Sequence, residues 1–381
     1  MRHYLDHNAT APLRAEAKAA MIDALDRVGN ASAVHAEGRE ARAAVEAARE
    51  AVRALVGAPV GGVVFTSGGT EAIHAGISGL ANRNVGSDNA IARLFVSAVE
   101  HPAVLKTAEA TGLPVEIISV DANGVVDLQQ LRSRLADNDD GAPFLATIML
   151  ANNETGVVQP IRAAADIIHD AGGLLFVDAV QAAGKIPVNC TMLGADLMAV
   201  SAHKFGGPIG VGALIAAPNL PLEPVLRGGG QEENRRAGTH NVAAIAGFGA
   251  AAAATRDDIG RHTEITAIRD HIEAAVVAEG ARVWGAGVER LPGTVCCSAP
   301  GFSGETQVMA LDMAGVAVSA GSACSSGKAR PSPVLTAMGA TEDEAKSALR
   351  VSLGWSSMMA DADAFIAAWT SAYARVKARA A

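Results

Sequence analysis

Lys204 stands in the run Ser201-Ala202-His203-Lys204-Phe205-Gly206-Gly207-Pro208. A solvated surface lysine needs no such setting, whereas a lysine that forms a Schiff base with a carbonyl compound does, because the glycines let a ligand come close. Four other polar clusters share one feature with it: each follows a short apolar run. Ser67-Gly68-Gly69-Thr70 would open a helix with free N–H groups and a hydroxyl, which suits an anion or serves as a plain helix cap. Glu100-His101-Pro102 offers a capped turn or a ring that stacks on a flat ligand. Asn152-Asn153-Glu154 follows a third run. Asp178, with Gln181 three residues later, ends a fourth, where a carboxylate needs a partner to offset its desolvation. A protonated pyridine nitrogen is one such partner and would keep a heteroaromatic ring an electron sink.

Cys324 supplies a different chemistry. It lies in Ser319-Ala320-Gly321-Ser322-Ala323-Cys324-Ser325-Ser326-Gly327, where small and polar neighbours leave little apolar surface to bury. A thiol on such a loop suits transfer work better than core packing. Cys190, Cys296 and Cys297 lack that context and read as packing residues. The four cysteines have neither zinc-knuckle spacing nor the density of a disulfide framework, so no metal site is expected.

The clusters need a frame to bring them together. Apolar runs at 63–66, 94–97, 115–120, 144–150, 174–177, 197–201 and 212–215 alternate with segments of helical composition at 71–81, 103–111 and 161–171. That alternation predicts an α/β fold with a mostly parallel seven-stranded sheet flanked by helices. Ligands of such sheets bind beyond the carboxyl ends of the strands, where the five clusters fall. The 4-3-4-3 spacing of Ala41, Val45, Ala48, Val52 and Leu55 predicts a helix over 39–56, stopped by Gly57. An Ala-rich helix over 243–255 leads into a smaller α/β unit, with a helix at 265–279, strands near 294–298 and 316–319, and closing helices. The first dozen residues are expected to complete it.

Composition excludes several classes. Half of the 381 residues are hydrophobic, enough for a large core. Asp and Glu outnumber Lys and Arg by 40 to 31, a net charge of −9 that argues against non-specific nucleic-acid binding. No apolar run is long enough to span a bilayer, and Met1 to Asp6 shows no signal pattern, so a cytoplasmic location and no membrane partner are expected.

Together these runs resemble the NifS/IscS-type cysteine desulfurases, within the class V aminotransferase-like enzymes of pyridoxal-phosphate fold type I, over nearly the whole chain. The matching stretches include Tyr4-Leu5-Asp6 with Asn8-Ala9-Thr10, Gly29-Asn30 to His35, Thr66 to Glu71, and Glu100 to Val104. Asn152 to Gly156, Arg227-Gly228-Gly229-Gly230-Gln231-Glu232, Arg235 to Thr239, and the Cys324 run complete the set. The resemblance implies a pyridoxal 5'-phosphate cofactor bound covalently by Lys204, with Asp178 on the ring nitrogen, Gln181 on the ring hydroxyl and His101 stacked on the ring. It places the phosphate on Gly69, Thr70, Ser201 and His203, with Thr239 supplied by the second subunit of a homodimer. Arg350 would clamp the substrate carboxylate as a bidentate fork, with Asn153 and Asn8 nearby. Sulfur would leave L-cysteine for Cys324 as a persulfide, giving L-alanine, with Lys204 and His101 moving protons. A sulfur acceptor protein, such as an iron–sulfur cluster scaffold, would then take it. The implied division is a large cofactor-binding domain at 12–255, and a small domain from 1–11 and 256–381 that carries the cysteine loop at about 319–332.

Two departures stand out. Ala72-Ile73-His74 replaces a stretch where Ser and Asn are common, a change expected to touch helix packing more than chemistry. Trp355-Ser356-Ser357-Met358-Met359 replaces an Arg followed by Thr-Thr and acidic residues, altering the small-domain surface. The chain also stops soon after Phe365 and Trp369, so the long acceptor-binding tail of some IscS-type members is expected to be missing. Competing readings are a selenocysteine lyase or another β-eliminating relative, a non-catalytic sulfur relay, and a plain aminotransferase. The last would have no use for Cys324.

Overall fold

The structure is a computed structural model that describes residues 2–83, 86, 90–137, 141–255, 257–321 and 331–380. Cys324 lies outside the described residues. Strands are numbered along the chain: β1 His3–Tyr4, β2 Val63–Thr66, β3 Arg93–Ser97, β4 Val115–Ile118, β5 Phe144–Thr147, β6 Leu174–Asp178, β7 Leu197–Ser201, β8 Gly212–Ala216, β9 Arg282–Val283, β10 Thr294–Ser298, β11 Val316–Ala317, β12 Ser319–Ala320 and β13 Ala348–Ser352.

Strands β2 to β8 form the expected seven-stranded sheet, in the order β2-β8-β7-β6-β5-β3-β4. Pairing is parallel from β4 through β7, while β8 runs against both β7 and β2. Successive residues point to opposite faces, so near-continuous apolar runs are needed where both faces are covered. Phe65, Leu175 and Val177 join a core with Val45, Val52, Ile168 and Phe248, from helices Ala36–Val56, Ile161–Asp170 and Val242–Ala254. Val64, Leu94 and Phe176 face the other way, into Ile73, Ile77 and Val104 of helices Gly69–Ala81 and Pro102–Ala110. Burying a side chain such as Phe176 contributes about 2–3 kcal/mol. Gly76 makes room for it, since a Cβ there would lie 2.5 Å from the ring.

The second body has its own sheet, in the order β12-β13-β10-β9, with antiparallel pairing. Leu5, Ile268, Ile272, Val295, Val351, Phe365 and Trp369 share its core. The run expected as one strand at 316–319 divides. Val316 and Ala317 pair in parallel with β1, whereas Ser319 and Ala320 pair with β13. One short segment therefore fastens the first residues of the chain to the strand that carries Arg350.

Boundaries differ modestly from expectation. The helix expected at 39–56 begins at Ala36, because the His35 ring accepts the Gly38 N–H and caps it. The apolar run at 144–150 leaves the sheet after Thr147, although Ile148 and Leu150 still donate to Phe176 and Asp178.

Candidate active site

A cavity of about 250 Å³ opens at the carboxyl ends of the parallel strands. Its walls are Gly69, Thr70, Ile73, His101, Met149, Ala151, Asn153, Asp178, Val180, Gln181, Ser201, His203 and Lys204. All five polar clusters thus converge, each because its strand ends there.

Lys204 leaves β7 through a single 3-10 turn, Ala202–Lys204. Its Nζ donates to the main-chain oxygens of Asn8 (2.7 Å) and Ala9 (3.0 Å). Asp178 ends β6, buried, with Oδ1 accepting the Val180 N–H at 2.9 Å. Burial raises its carboxyl above the usual range, and nearby His101 and Lys204 oppose that shift. A cationic partner inside the cavity would restore the charge. His101 Nδ1 accepts the Ala103 N–H at 3.1 Å, so the neutral ring carries its proton on Nε2. Burial, with help from Lys204, lowers its basicity.

Helix Gly69–Ala81 starts at the cavity wall. Its first internal bond runs from the Ala72 N–H to the Gly68 oxygen, leaving the preceding N–H groups for an anion. Gly69 sits so close to Val180 that a Cβ would meet it at 2.8 Å. The ring of His203 bonds Thr10 Oγ1 at 3.3 Å. Burial, then Lys204 and Lys185, push its titration down to about 4, so it enters the site neutral. A buried carboxylate, a stacking ring, an amine and a helix N-terminus around one cavity fit a flat pyridine bearing an aldehyde and a phosphate.

Arg350, on β13, is buried beside this wall and does not line the cavity itself. Its NH2 pairs with Asp6 Oδ1 at 2.8 Å, and its NH1 donates to the Asn153 main-chain oxygen at 3.1 Å. Asn8 is the joint between the bodies: its amide donates to Asn153 O and Thr294 Oγ1, and its N–H to Ser352 Oγ. Thr239 is exposed and stands apart from the cavity within this chain. Its segment is pinned by Glu232, whose carboxylate takes two bonds from Arg49 and others from His240 and the Phe65 N–H. Burial alone would raise that carboxyl, but these donors bring it to about 2. Arg49, Glu232 and His240 also line a separate recess of about 530 Å³.

The sequence reading gave no role to Asp6 or Lys185. Asp6 also accepts from Ser319 Oγ at 2.7 Å and so orients Arg350. Lys185 could have been noticed as a lone cation after the apolar stretch at 182–184. Ile73 lies in the cavity wall, so the departure at 72–74 reaches the site and is more than a packing change. The described cysteines, Cys190, Cys296 and Cys297, are buried away from the cavity. Among the described residues no group of His, Cys, Asp and Glu is arranged to hold a metal ion, and no helix is long and apolar enough to cross a membrane.

Comparisons with known proteins agree with this geometry. Residues 3–365 match the family described as Aminotransferase class-V. A cysteine desulfurase of Cereibacter sphaeroides is 41% identical over 371 residues, covering 95% of this chain and 93% of the relative. An IscS-like cysteine desulfurase of Mycobacterium tuberculosis is 37% identical, covering 98% and 97%. The solved structure of a NifS-like protein from Rickettsia africae superposes with a TM-score of 0.89 at 33% identity, over 98% of this chain and all of that one.

Proposed function

From the premise that the chain belongs to the aminotransferase class-V family and is a pyridoxal-phosphate-dependent cysteine desulfurase, we propose how its residues divide the work. The observation that carries the reading is the convergence of Lys204, Asp178, His101 and the helix N-terminus on one cavity.

Pyridoxal phosphate, held covalently by Lys204, supplies an electron sink for the substrate's α-carbon. Asp178 would hold its ring nitrogen protonated, Gln181 would meet its ring oxygen, and His101 would pack against the ring. Gly69, Thr70, Ser201 and His203 take the phosphate. Arg350 clamps the L-cysteine carboxylate, oriented by Asp6, with Asn153 and Asn8 setting the floor. Lys204 Nζ would take the substrate's α-proton and later return a proton to the same carbon. His101 Nε2 exchanges protons near the substrate thiol. Cys324, as thiolate, attacks the substrate sulfur; the new S–S bond forms as the C–S bond breaks, and the carbon skeleton takes up one proton at Cβ and one at Cα to leave as L-alanine.

The domain reading stays as expected from sequence: 12–255 for the cofactor, with 1–11 and 256–381 forming the small domain. Thr239, exposed on its pinned segment, completes the phosphate site of a second copy in a homodimer. Exposed Val28, Val34 and Val60 add apolar surface for that contact. Sedimentation at a single-chain mass would remove the shared-site part of the reading. The persulfide sulfur passes to an acceptor protein in the cytoplasm, an iron–sulfur scaffold being the leading candidate. Cluster assembly on such a scaffold, driven by this enzyme and cysteine, tests that step.

Purified holoprotein given L-cysteine and a thiol reductant should release sulfide and alanine in equal amounts. Pyruvate and ammonia in place of alanine would reject the desulfurase assignment for a β-eliminating one. Faster turnover on selenocysteine than on cysteine would instead favour the lyase reading.

A further inference from the structure

We propose that Lys185 is a positioning residue that fixes which way the Gln181 side-chain amide faces, so that Gln181 presents an N–H to the cofactor. The inference rests on the reading of Gln181 as the ring-oxygen partner. Lys185 follows β6 by one turn, its N–H bonded to the Ala182 oxygen. Its Nζ reaches two acceptors at once, Gln181 Oε1 and Asn8 Oδ1, each at 2.7 Å. Gln181 Nε2 in turn donates to the Asn8 main-chain oxygen at 2.9 Å. These four groups close a ring of hydrogen bonds at the base of the cavity.

The two ends of a glutamine amide have nearly the same shape and opposite chemistry, so neighbours decide its orientation. Lys185 Nζ donates to the amide oxygen, and the Asn8 carbonyl is a pure acceptor. With the amide as found, both are satisfied. Turned over, the amide would set its carbonyl against the Asn8 carbonyl and take away the oxygen to which Lys185 donates, inside a buried site where unmet polar groups are costly. The second Nε2 hydrogen has no protein acceptor among the described residues, and Gln181 lines the cavity. That hydrogen is the one offered to the ring oxygen. The charged groups facing Lys185 are Lys204, Arg350 and Asp6, and the rings of His7 and His203 lie near it.

The test is the pH at which the visible band of the bound cofactor titrates, read by spectrophotometry on the holoprotein without substrate. A donated N–H favours the anionic ring oxygen, so losing it should move the midpoint to higher pH. Lys185→Met and Gln181→Met should each shift it by about one pH unit, the size expected for one hydrogen bond to a charged group. The double variant should shift no further than Gln181→Met, since Lys185 acts through Gln181. Lys185→Gln, which keeps a donor and drops the charge, should restore most of the original midpoint and covers the case in which Lys185→Met fails to bind the cofactor. Fully additive shifts, or a Lys185→Gln midpoint equal to that of Lys185→Met, would show that Lys185 works by its charge and overturn the inference. An unmoved Gln181→Met midpoint would remove the Gln181 reading beneath it, whereas a moved Gln181→Met with an unmoved Lys185→Met rejects the inference alone.

Discussion

Replacing Lys204 with alanine is expected to leave a folded protein that no longer holds pyridoxal phosphate covalently and turns over L-cysteine at least about 10⁴-fold more slowly. That figure is the upper range for removing a positioned proton-transfer group, and here the same side chain also carries the cofactor. Among the described residues, the other amine beside Lys204 is Lys185, which is engaged by Gln181 and Asn8, and burial, with Lys204 and Arg350 nearby, depresses its basicity strongly. Removing Nζ costs the Asn8 and Ala9 oxygens a donor, but both are main-chain groups of a segment held elsewhere by Ser352, Thr294 and Asn153. The checks are borohydride reduction, which should trap no cofactor on the variant, and single-turnover alanine formation. Turnover within tenfold of the parent would sink the assignment of Lys204.

Cys324→Ser is expected to keep the cofactor's absorbance and its response to added cysteine, while sulfide release under reductant falls about 10³-fold or more. The described residues supply the supporting half of this argument by elimination. Burial pushes the Cys190 and Cys297 thiols up to about 12 and the Cys296 thiol well above its usual value. At pH 7 a thiol titrating near 12 is ionised to only about one part in 10⁵, too little to act as the nucleophile. Ser substitutions at those three positions should therefore test stability and leave the persulfide chemistry in place. Mass spectrometry after a cysteine pulse should find the added sulfur atom on the peptide containing Cys324 and nowhere else. Sulfide release by Cys324→Ser at the parent rate would remove the nucleophile assignment.

Much of this was legible before any coordinates. The short apolar runs placed the seven strands of the large sheet, because strands buried on both faces must be apolar throughout, and the rule for parallel sheets put the five clusters on one edge. Three kinds of information were not local. The division of 316–320 between two partners depends on where β1 and β13 arrive, which no window of sequence contains. Asp6 and Lys185 matter through contacts across 344 and 177 positions, which no local window contains. Ile73 looked like helix packing, since the periodicity of a helix says which residues are inward and not that one of them borders a ligand cavity.

The joint at Asn8 has a consequence for how the enzyme comes into being. Asn8 and its partner Ser352 lie 344 positions apart in the chain. Contacts so far apart in sequence close late, because loop-closure entropy must be met first. The tie between the cavity floor at Asn8 and the strand that carries Arg350 is therefore among the last to form. A chain cut before Ser352 would leave the Asn8 N–H without that acceptor and the floor unfastened beneath the vitamin.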